Sequence, residues 1–198
     1  MKHILVIDDN EDVRKIIGYD LLKAGFAVDD AEDGISGFAQ ATKTKYDLII
    51  IDWMMPGMNG LELTRALRAR NVRSILFMLT AKDGDNDLEE AFAAGVDDYL
   101  RKPFSPRELQ IRIRKHLQGR PAGDEAPKTI LRYQDLTLDE RSRRFFISGK
   151  EISLTRKEFD LMDYFMQHAQ TVLSRNEILN AVWGFDYDGD TRIIDVHT

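Results

Sequence analysis

The sequence contains no cysteine among its 198 residues, which excludes disulfides, thiol nucleophiles and thiolate metal sites. This absence fits a reducing compartment, and we expect the protein to be cytoplasmic. No apolar run approaches the roughly 20 residues that a membrane-spanning helix requires, because Asp52 interrupts the longest candidate. The N-terminus MKHILVIDD reaches acidic residues by position 8 and is not typical of a signal peptide. We therefore expect no membrane partner.

An excess of positive charge is also missing. The net charge of −6 argues against indiscriminate binding to nucleic acid, although a local basic surface is compatible with it. With 43% hydrophobic and 31% charged residues, the composition is that of an ordinary globular protein. The length allows one large or two small domains.

Residues 1–118 alternate short apolar runs with amphipathic stretches, which predicts a first domain. The predicted strands are His3–Ile7, Ala27–Asp30, Asp47–Asp52, Ser74–Thr80 and Tyr99–Arg101. The predicted helices are Asp12–Ala24, Ile35–Thr42, Gly60–Arg70, Asp87–Ala94 and Pro106–Leu117. Five successive βα units predict an α/β fold, a flavodoxin-like (βα)5 doubly wound parallel sheet with helices on both faces.

The pattern changes after residue 118. The stretch QGRPAGDEAPK has two prolines and two glycines, so we predict a linker at residues 119–128. Residues 129–198 then predict a partial α+β domain. Its predicted elements are strands at Tyr133–Glu140 and at Arg144–Ile152, the latter turning at residues 148–150, and helices at Ser153–Ala169, Ile178–Trp183 and Thr191–Thr198. Thr155 with Glu158, and Ser174 with Glu177, have the spacing of helix capping boxes.

Acidic residues directly follow two of the predicted strands. Asp8 and Asp9 follow HILVI, and Asp52 follows four consecutive apolar residues. Sites in doubly wound sheets form at the carboxyl ends of the strands. The first and third strands are neighbours in the flavodoxin-like order, so we expect the three carboxylates to converge. Carboxylates that close repel one another unless a cation neutralises them, and Mg²⁺ prefers such oxygen ligands.

Two further polar residues suit phosphoryl transfer to a carboxylate. The fourth predicted strand ends at Thr80, and Lys102 follows the fifth beside Pro103. Acids, a hydroxyl and a fixed ammonium supply a nucleophile, metal ligands and a cationic stabiliser of phosphoryl oxygens. Taken singly, each residue has a simpler interpretation. Asp8 and Asp9 could cap the first helix, Asp52 and Thr80 could merely end strands, and Lys102 could be solvated.

The chain carries the following residues in order: Asp8-Asp9, Asp52, Pro56-Gly57, Gly60, Thr80-Ala81, Asp98-Tyr99 and Lys102-Pro103-Phe104. With this set, residues 1–118 resemble the receiver domain of bacterial two-component response regulators. The resemblance implies that Asp52 is a phosphoacceptor that attacks a phosphohistidine on a partner histidine kinase. It also implies Mg²⁺, with Mn²⁺ as a substitute, bound by Asp9, Asp52 and the backbone carbonyl of Met54, with Asp8 acting largely through water.

The resemblance also implies roles for the residues after the fourth and fifth strands. Lys102 bridges Asp52 and the phosphoryl group, and Thr80 hydrogen-bonds that group once it forms. Tyr99 swings inward as Thr80 moves, although packing is an equally good interpretation of this ring. Similar receivers have a cis peptide before the proline, so we expect one between Lys102 and Pro103.

Motifs in the C-terminal part resemble the winged-helix effector of OmpR/PhoB response regulators. They are Leu154-Thr155, Lys157-Glu158-Phe159, Leu173-Ser174-Arg175, Val182-Trp183-Gly184, Arg192 and Asp195-Val196-His197. The resemblance implies promoter DNA as a partner of the intact parent, with Arg192 and His197 contacting it from the recognition helix. The chain ends within that helix, and residues 129–198 hold 12 acidic and 9 basic residues. We therefore expect a truncated regulator whose present segment binds DNA poorly.

The family also implies a homodimer through the fourth helix, fifth strand and fifth helix. Asp98 and Arg112 are the expected partners across it, and the apolar Leu88 and Phe92 are expected to contribute. Glu108 lies on the same face but lacks its usual basic mate, because Leu88 stands there.

Two other functions stay open from the sequence. A Mg²⁺-dependent phosphatase of the haloacid-dehalogenase type needs a second acid two positions after the nucleophile, where this chain has Met54. A receiver that acts by protein contact alone is the other. Met54 and Lys82, each two positions after a site residue, are poor at positioning water, so we expect a phosphoryl lifetime of minutes or longer.

Overall fold

The computed structural model describes residues 1–81, 85–118, 130–140 and 142–183, apart from the side chains of residues 85, 86, 88, 89 and 118. The chain divides into two compact units, Met1–Pro121 and Ala122–Thr198. No helix among the described residues is both long and apolar enough to cross a membrane.

The first unit is a parallel sheet with a helix after each strand. Its elements are β1 (His3–Ile7), α1 (Glu11–Lys23), β2 (Ala27–Ala31), α2 (Gly34–Lys43), β3 (Leu48–Asp52), α3 (Gly60–Ala69), β4 (Ile75–Thr80), α4 (Asp85–Ala93), β5 (Asp98–Arg101) and α5 (Pro106–Gln118). The strand order is β2-β1-β3-β4-β5, and every pairing is parallel. The predicted flavodoxin-like fold is confirmed.

The sheet buries apolar side chains on both faces, which explains its continuous apolar strands. On one face Ile4, Ile50 and Phe77 pack with residues of α1 and α5, and on the other Leu5, Ile49 and Leu76 pack with residues of α3. All six residues of β4 and all five of β3 are buried. A carboxylate at the end of such a strand therefore lies at the boundary of a dry core.

Local signals in the sequence fix most helix ends. Gly25 and Gly95 follow α1 and α4 with φ of 89° and 102°, the left-handed conformation expected after a helix. The Asn10 side chain accepts hydrogen bonds from the backbone N–H groups of Asp12 and Val13, which starts α1 one residue earlier than predicted. The Lys102–Pro103 peptide is cis, as predicted.

The second unit contains an antiparallel sheet and two helices. The strands are β6 (Ile130–Tyr133), β7 (Leu136–Asp139), β8 (Arg144–Ile147) and β9 (Lys150–Ile152), in sequential order, and the helices are α6 (Arg156–Gln167) and α7 (Arg175–Val182). Leu138, Phe145 and Phe159 form its buried core. Both predicted capping boxes are present, at Thr155 and Ser174.

One prediction in this unit was wrong. The predicted strand Tyr133–Glu140 corresponds to β7 (Leu136–Asp139), whereas Tyr133 ends a separate strand, β6, and a turn at Gln134 and Asp135 lies between the two. Gln134 adopts a left-handed backbone conformation with φ of 52°. Glycine or asparagine usually marks such a turn, and neither is present at this position. The predicted linker at 119–128 and the predicted helix at Thr191–Thr198 lie outside the described residues.

Candidate functional site

Three carboxylates meet at the carboxyl edge of the first sheet. β1 and β3 are adjacent, with Ile7 opposite Ile51, so Asp8 and Asp52 leave the sheet side by side. Oxygen atoms of Asp8, Asp9 and Asp52 all lie within 4.8 Å of one another. Asp8 and Asp52 are buried, and Asp9 is exposed. The cluster offers hard, anionic oxygen ligands, and solvent reaches it at Asp9. Such a site suits a small divalent cation.

Lys102 lies against two of these acids. Its Nζ is 2.7 Å from Oδ1 of Asp52 and 2.9 Å from Oδ2 of Asp8. The Lys102 backbone N–H donates to the carbonyl of Thr80, which fixes the residue after β5 to the end of β4. The Asp8 contact was not predicted from the sequence, where Lys102 was assigned to Asp52 alone.

Burial and charge act in opposite directions on this group of residues. Burial raises the pKa of Asp52 above its ordinary value, and the charges of Asp8 and Asp9 add to that, while Lys102 only partly offsets it. Burial lowers the pKa of Lys102, but its hydrogen bonds to Asp52 and Asp8 outweigh burial, so the net pKa is raised. The lysine is thus held as an ammonium, and the acids still carry excess negative charge.

Backbone groups orient both buried carboxylates. Oδ2 of Asp52 accepts a hydrogen bond from the Met54 N–H at 3.2 Å, and Oδ1 of Asp8 accepts one from the Asn10 N–H at 2.9 Å. The Met54 side chain is exposed, whereas Trp53 beside it is buried. Each acid therefore has one oxygen held by the backbone and the other by Lys102.

Gly60 lets α3 begin directly against the end of β3. A Cβ atom there would lie 2.5 Å from the carbonyl oxygen of Asp52 and 2.9 Å from Cα of Trp53. The Gly60 N–H also donates to the carbonyl of Trp53. The glycine thus supports the backbone that carries Asp52.

The two residues predicted to switch lie in different surroundings. Thr80, the last residue of β4, is fully buried. Tyr99, on β5, pairs with Met78 on β4 and is partly exposed. Its ring packs edge-on against that of Phe92, with 5.7 Å between the ring centroids.

The residues predicted for a dimer face make contacts inside the chain. Oδ2 of Asp98 lies 2.7 Å from Nε2 of His116, and Oδ1 lies 3.5 Å from Arg112. Glu108 lies 3.6 Å from Arg112. Phe92 is 4% exposed, so it offers little surface as it stands. The Leu88 side chain, Lys82, Arg192 and His197 lie outside the described residues.

Arg14 and His116 were missed by sequence reasoning. Arg14 Nη1 donates to the carbonyl oxygens of both Asp8 and Asp9, at 2.8 and 3.2 Å. A basic residue in the first turns of a helix opposes the helix dipole, and this was the available signal for Arg14. No pattern in the sequence pairs His116 with Asp98.

Comparisons with known proteins agree on both parts of the chain. The family model "Response regulator receiver domain" matches residues 4–114, and the model "Transcriptional regulatory protein, C terminal" matches residues 149–198. The transcriptional regulatory protein YkoG of Bacillus subtilis is 38% identical over 98% of this chain and 86% of its own length. The alkaline phosphatase synthesis transcriptional regulatory protein PhoP of the same organism is 37% identical over 99% and 85%.

Solved structures give the same result. DrrB of Thermotoga maritima, an OmpR/PhoB homologue, covers 100% of this chain and 86% of its own at 25% identity, with a TM-score of 0.57. The receiver domain of the sensor histidine kinase PA1611 of Pseudomonas aeruginosa, with magnesium coordinated in its active-site cleft, covers 60% of this chain and 98% of its own at 32% identity and a TM-score of 0.56.

The sheet order and the two matched families define a two-domain signalling protein, in which a receiver precedes an effector of the winged-helix type. The chain belongs to the OmpR/PhoB family of two-component response regulators, which are transcriptional regulators.

Proposed function

We propose that Asp52 accepts a phosphoryl group from a histidine kinase in the presence of Mg²⁺, and that this modification controls a DNA-binding output. The proposal rests on one observation: Asp8, Asp9 and Asp52 form a cluster, and the Lys102 ammonium forms salt bridges with Asp8 and Asp52. A carboxylate oxygen of Asp52 forms the new bond to phosphorus. The bond from phosphorus to the kinase imidazole breaks, and its electron pair leaves with the nitrogen.

The donor set fits Mg²⁺. Carboxylates of Asp9 and Asp52 and the carbonyl of Met54 are hard oxygen ligands, and buried Asp8 is assigned to act through water. Mn²⁺ has similar ligand preferences and is expected to substitute. When bound, the ion supplies charge that neutralises the phosphoryl oxygens. Burial, with a smaller contribution from the charges of Asp8 and Asp9, raises the pKa of Asp52, and a bound cation would offset both effects.

We assign Lys102 to hold the phosphoryl group. Its ammonium already contacts Asp52, so a group attached to that carboxylate would form within its reach. Thr80 is assigned to hydrogen-bond the phosphoryl oxygens, and Tyr99 to move with it. Thr80 is joined to the Lys102 backbone, which supports a coupled response of these strand ends.

The kinase partner is assigned to the exposed apolar face of α1. Ile16, Tyr19 and Leu22 are 58–59% exposed, unusual for such side chains on one helix. Ile16 and Phe104 also line a small groove between α1 and α5. The donor histidine must reach Asp52, and α1 begins at Glu11, two residues after Asp9.

For the second domain we propose promoter DNA as the partner, with the effector at residues 129–198 and the linker at 119–128. Arg192 and His197 remain the expected DNA contacts. A homodimer through α4, β5 and α5 remains part of the proposal, with Asp98, Arg112, Glu108, Leu88 and Phe92 on its face.

Phosphoryl labelling tests the central claim. Incubation with acetyl phosphate and Mg²⁺ should add the mass of one phosphoryl group to the intact chain. Asp52→Ala should abolish the addition, whereas Asp47→Ala, which removes an acid from the opposite edge of the sheet, should retain it. A wild-type chain that stays unmodified, or an Asp52→Ala chain that is labelled equally, would rule the assignment out. Sustained turnover of a small phosphate ester would instead favour the phosphatase alternative.

A further inference from the structure

Arg14 ties the backbone of the acidic loop to a neighbouring strand. Its Nη1 donates to the carbonyl oxygens of Asp8 and Asp9, while its Nε lies 2.9 Å from Oδ2 of Asp30 on β2. The Arg14 side chain is 11% exposed although Asp30 is 61% exposed. One guanidinium therefore joins α1, the loop after β1 and the end of β2.

The contacts are made with the backbone of the two acids and not with their carboxylates. Asp9 is exposed, and its side-chain position depends on the loop that carries it. Two carbonyls that point back to one planar donor group define the orientation of both peptide units. An oxygen atom of each carboxylate lies within 4.8 Å of an Asp52 oxygen.

We infer that Arg14 is a positioning residue for the divalent cation, holding Asp8 and Asp9 in the orientation that Asp52 requires. This inference rests on the proposed Mg²⁺ site. The positive charge of Arg14 by itself would weaken Mg²⁺ binding, because a guanidinium close to a cation site repels the ion. The pairing with Asp30 offsets the repulsion, which leaves the geometric contribution as the favourable one.

Charge and geometry predict opposite results for a neutral substitution, and this makes the inference testable. If Arg14 acted only through its charge, Arg14→Gln would strengthen Mg²⁺ binding. If Arg14 orients the loop, the same change weakens binding. Groups that hold metal ligands in place typically contribute about 10–100-fold to affinity. Since Arg14 acts through the backbone, we expect a loss near the lower end, about tenfold.

The experiment is a Mg²⁺ titration followed by tryptophan fluorescence at constant ionic strength. Trp53 is adjacent to Asp52 and buried, so we expect its emission to change when the ion binds. Lys15→Gln is the matched control, because it removes the same charge from the next residue of α1, where the side chain is 67% exposed and pairs with Glu11. Arg14→Lys retains the charge but lacks the planar fork, so its dissociation constant should lie between those of wild type and Arg14→Gln.

Thermal unfolding without Mg²⁺ separates positioning from simple destabilisation. A purely structural role would lower the melting temperature of Arg14→Gln but leave the dissociation constant of the folded protein unchanged. Unchanged or tighter binding in Arg14→Gln, with a normal wild-type titration, would overturn the inference alone. No Mg²⁺ response in the wild-type chain would overturn the proposed site, and the inference with it.

Discussion

At the scale of single residues, the site depends on one carboxylate, Asp52, whose charged form is destabilised by its surroundings. Asp52 is 5% exposed at the end of a strand that is buried throughout. Its raised pKa means that its surroundings, taken together, disfavour the ionised form despite the contact with Lys102. The residue that we assign to accept phosphorus is therefore a source of instability in the metal-free protein.

Asp52→Asn should accordingly stabilise the metal-free first unit at neutral pH. In the wild type the cost is present at pH values above the raised pKa of Asp52, because the folded state then carries a buried charge that the unfolded state exposes to water. The cost declines as the pH falls through the raised pKa and disappears below the ordinary value of 3.8, where both states bind the proton. Thermal unfolding should show a gain on the order of 1 kcal/mol near neutrality that shrinks on acidification. An equal gain at all pH values would contradict this cause.

Single residues also mark the limit of what the sequence could predict. Asp8 and Asp52 were found because each follows an apolar run, and Lys102 because it follows the fifth strand beside Pro103; parallel strands bring these carboxyl ends together. Arg14 and His116 could not be found in this way. Their partners are backbone carbonyls and a carboxylate from a different element, and only the fold places these within reach.

At the scale of elements, the position of Asp52 depends on how closely α3 approaches β3. Gly60 makes that approach possible, and the capping box of Asn59 and Glu62 fixes the first turn of α3. The sequence predicted the elements of the first unit within about two residues, because glycines and capping residues mark their ends. The prediction was wrong at Gln134, where a residue that is neither glycine nor asparagine adopts the left-handed backbone conformation in a turn.

Gly60→Ala should therefore reduce both stability and phosphorylation. The added Cβ would meet backbone atoms of Asp52 and Trp53, which cannot rotate away, so we expect a loss of about 1–3 kcal/mol. Gly18→Ala is the control within α1, where the nearest atom, in Val28, lies 3.9 Å from the new Cβ. There alanine should be neutral or stabilise by up to about 1 kcal/mol. Denaturant unfolding and acetyl phosphate labelling of both variants provide the comparison.

At the scale of the whole molecule, the acids and Lys102 all belong to one of two compact units. Mg²⁺ should then stabilise Met1–Pro121 and leave the amide exchange of residues 130–183 unchanged. At an ion concentration 100 times the dissociation constant, the gain should be about 2.7 kcal/mol. Hydrogen exchange with mass spectrometry resolves the two units, and Asp52→Ala should remove the effect. Equal protection of both units by Mg²⁺ would contradict a site confined to the first.

The contacts of Asp98 affect how two copies of the chain can associate. Within its own subunit this carboxylate already lies beside an imidazole and a guanidinium from α5. A second copy of the chain that recruited Asp98 would have to compete with these local contacts, so such an association would exchange one set of polar contacts for another. An exchange of this kind would change the free energy little. A small structural change caused by modification of Asp52 would then be enough to shift an equilibrium between monomer and dimer.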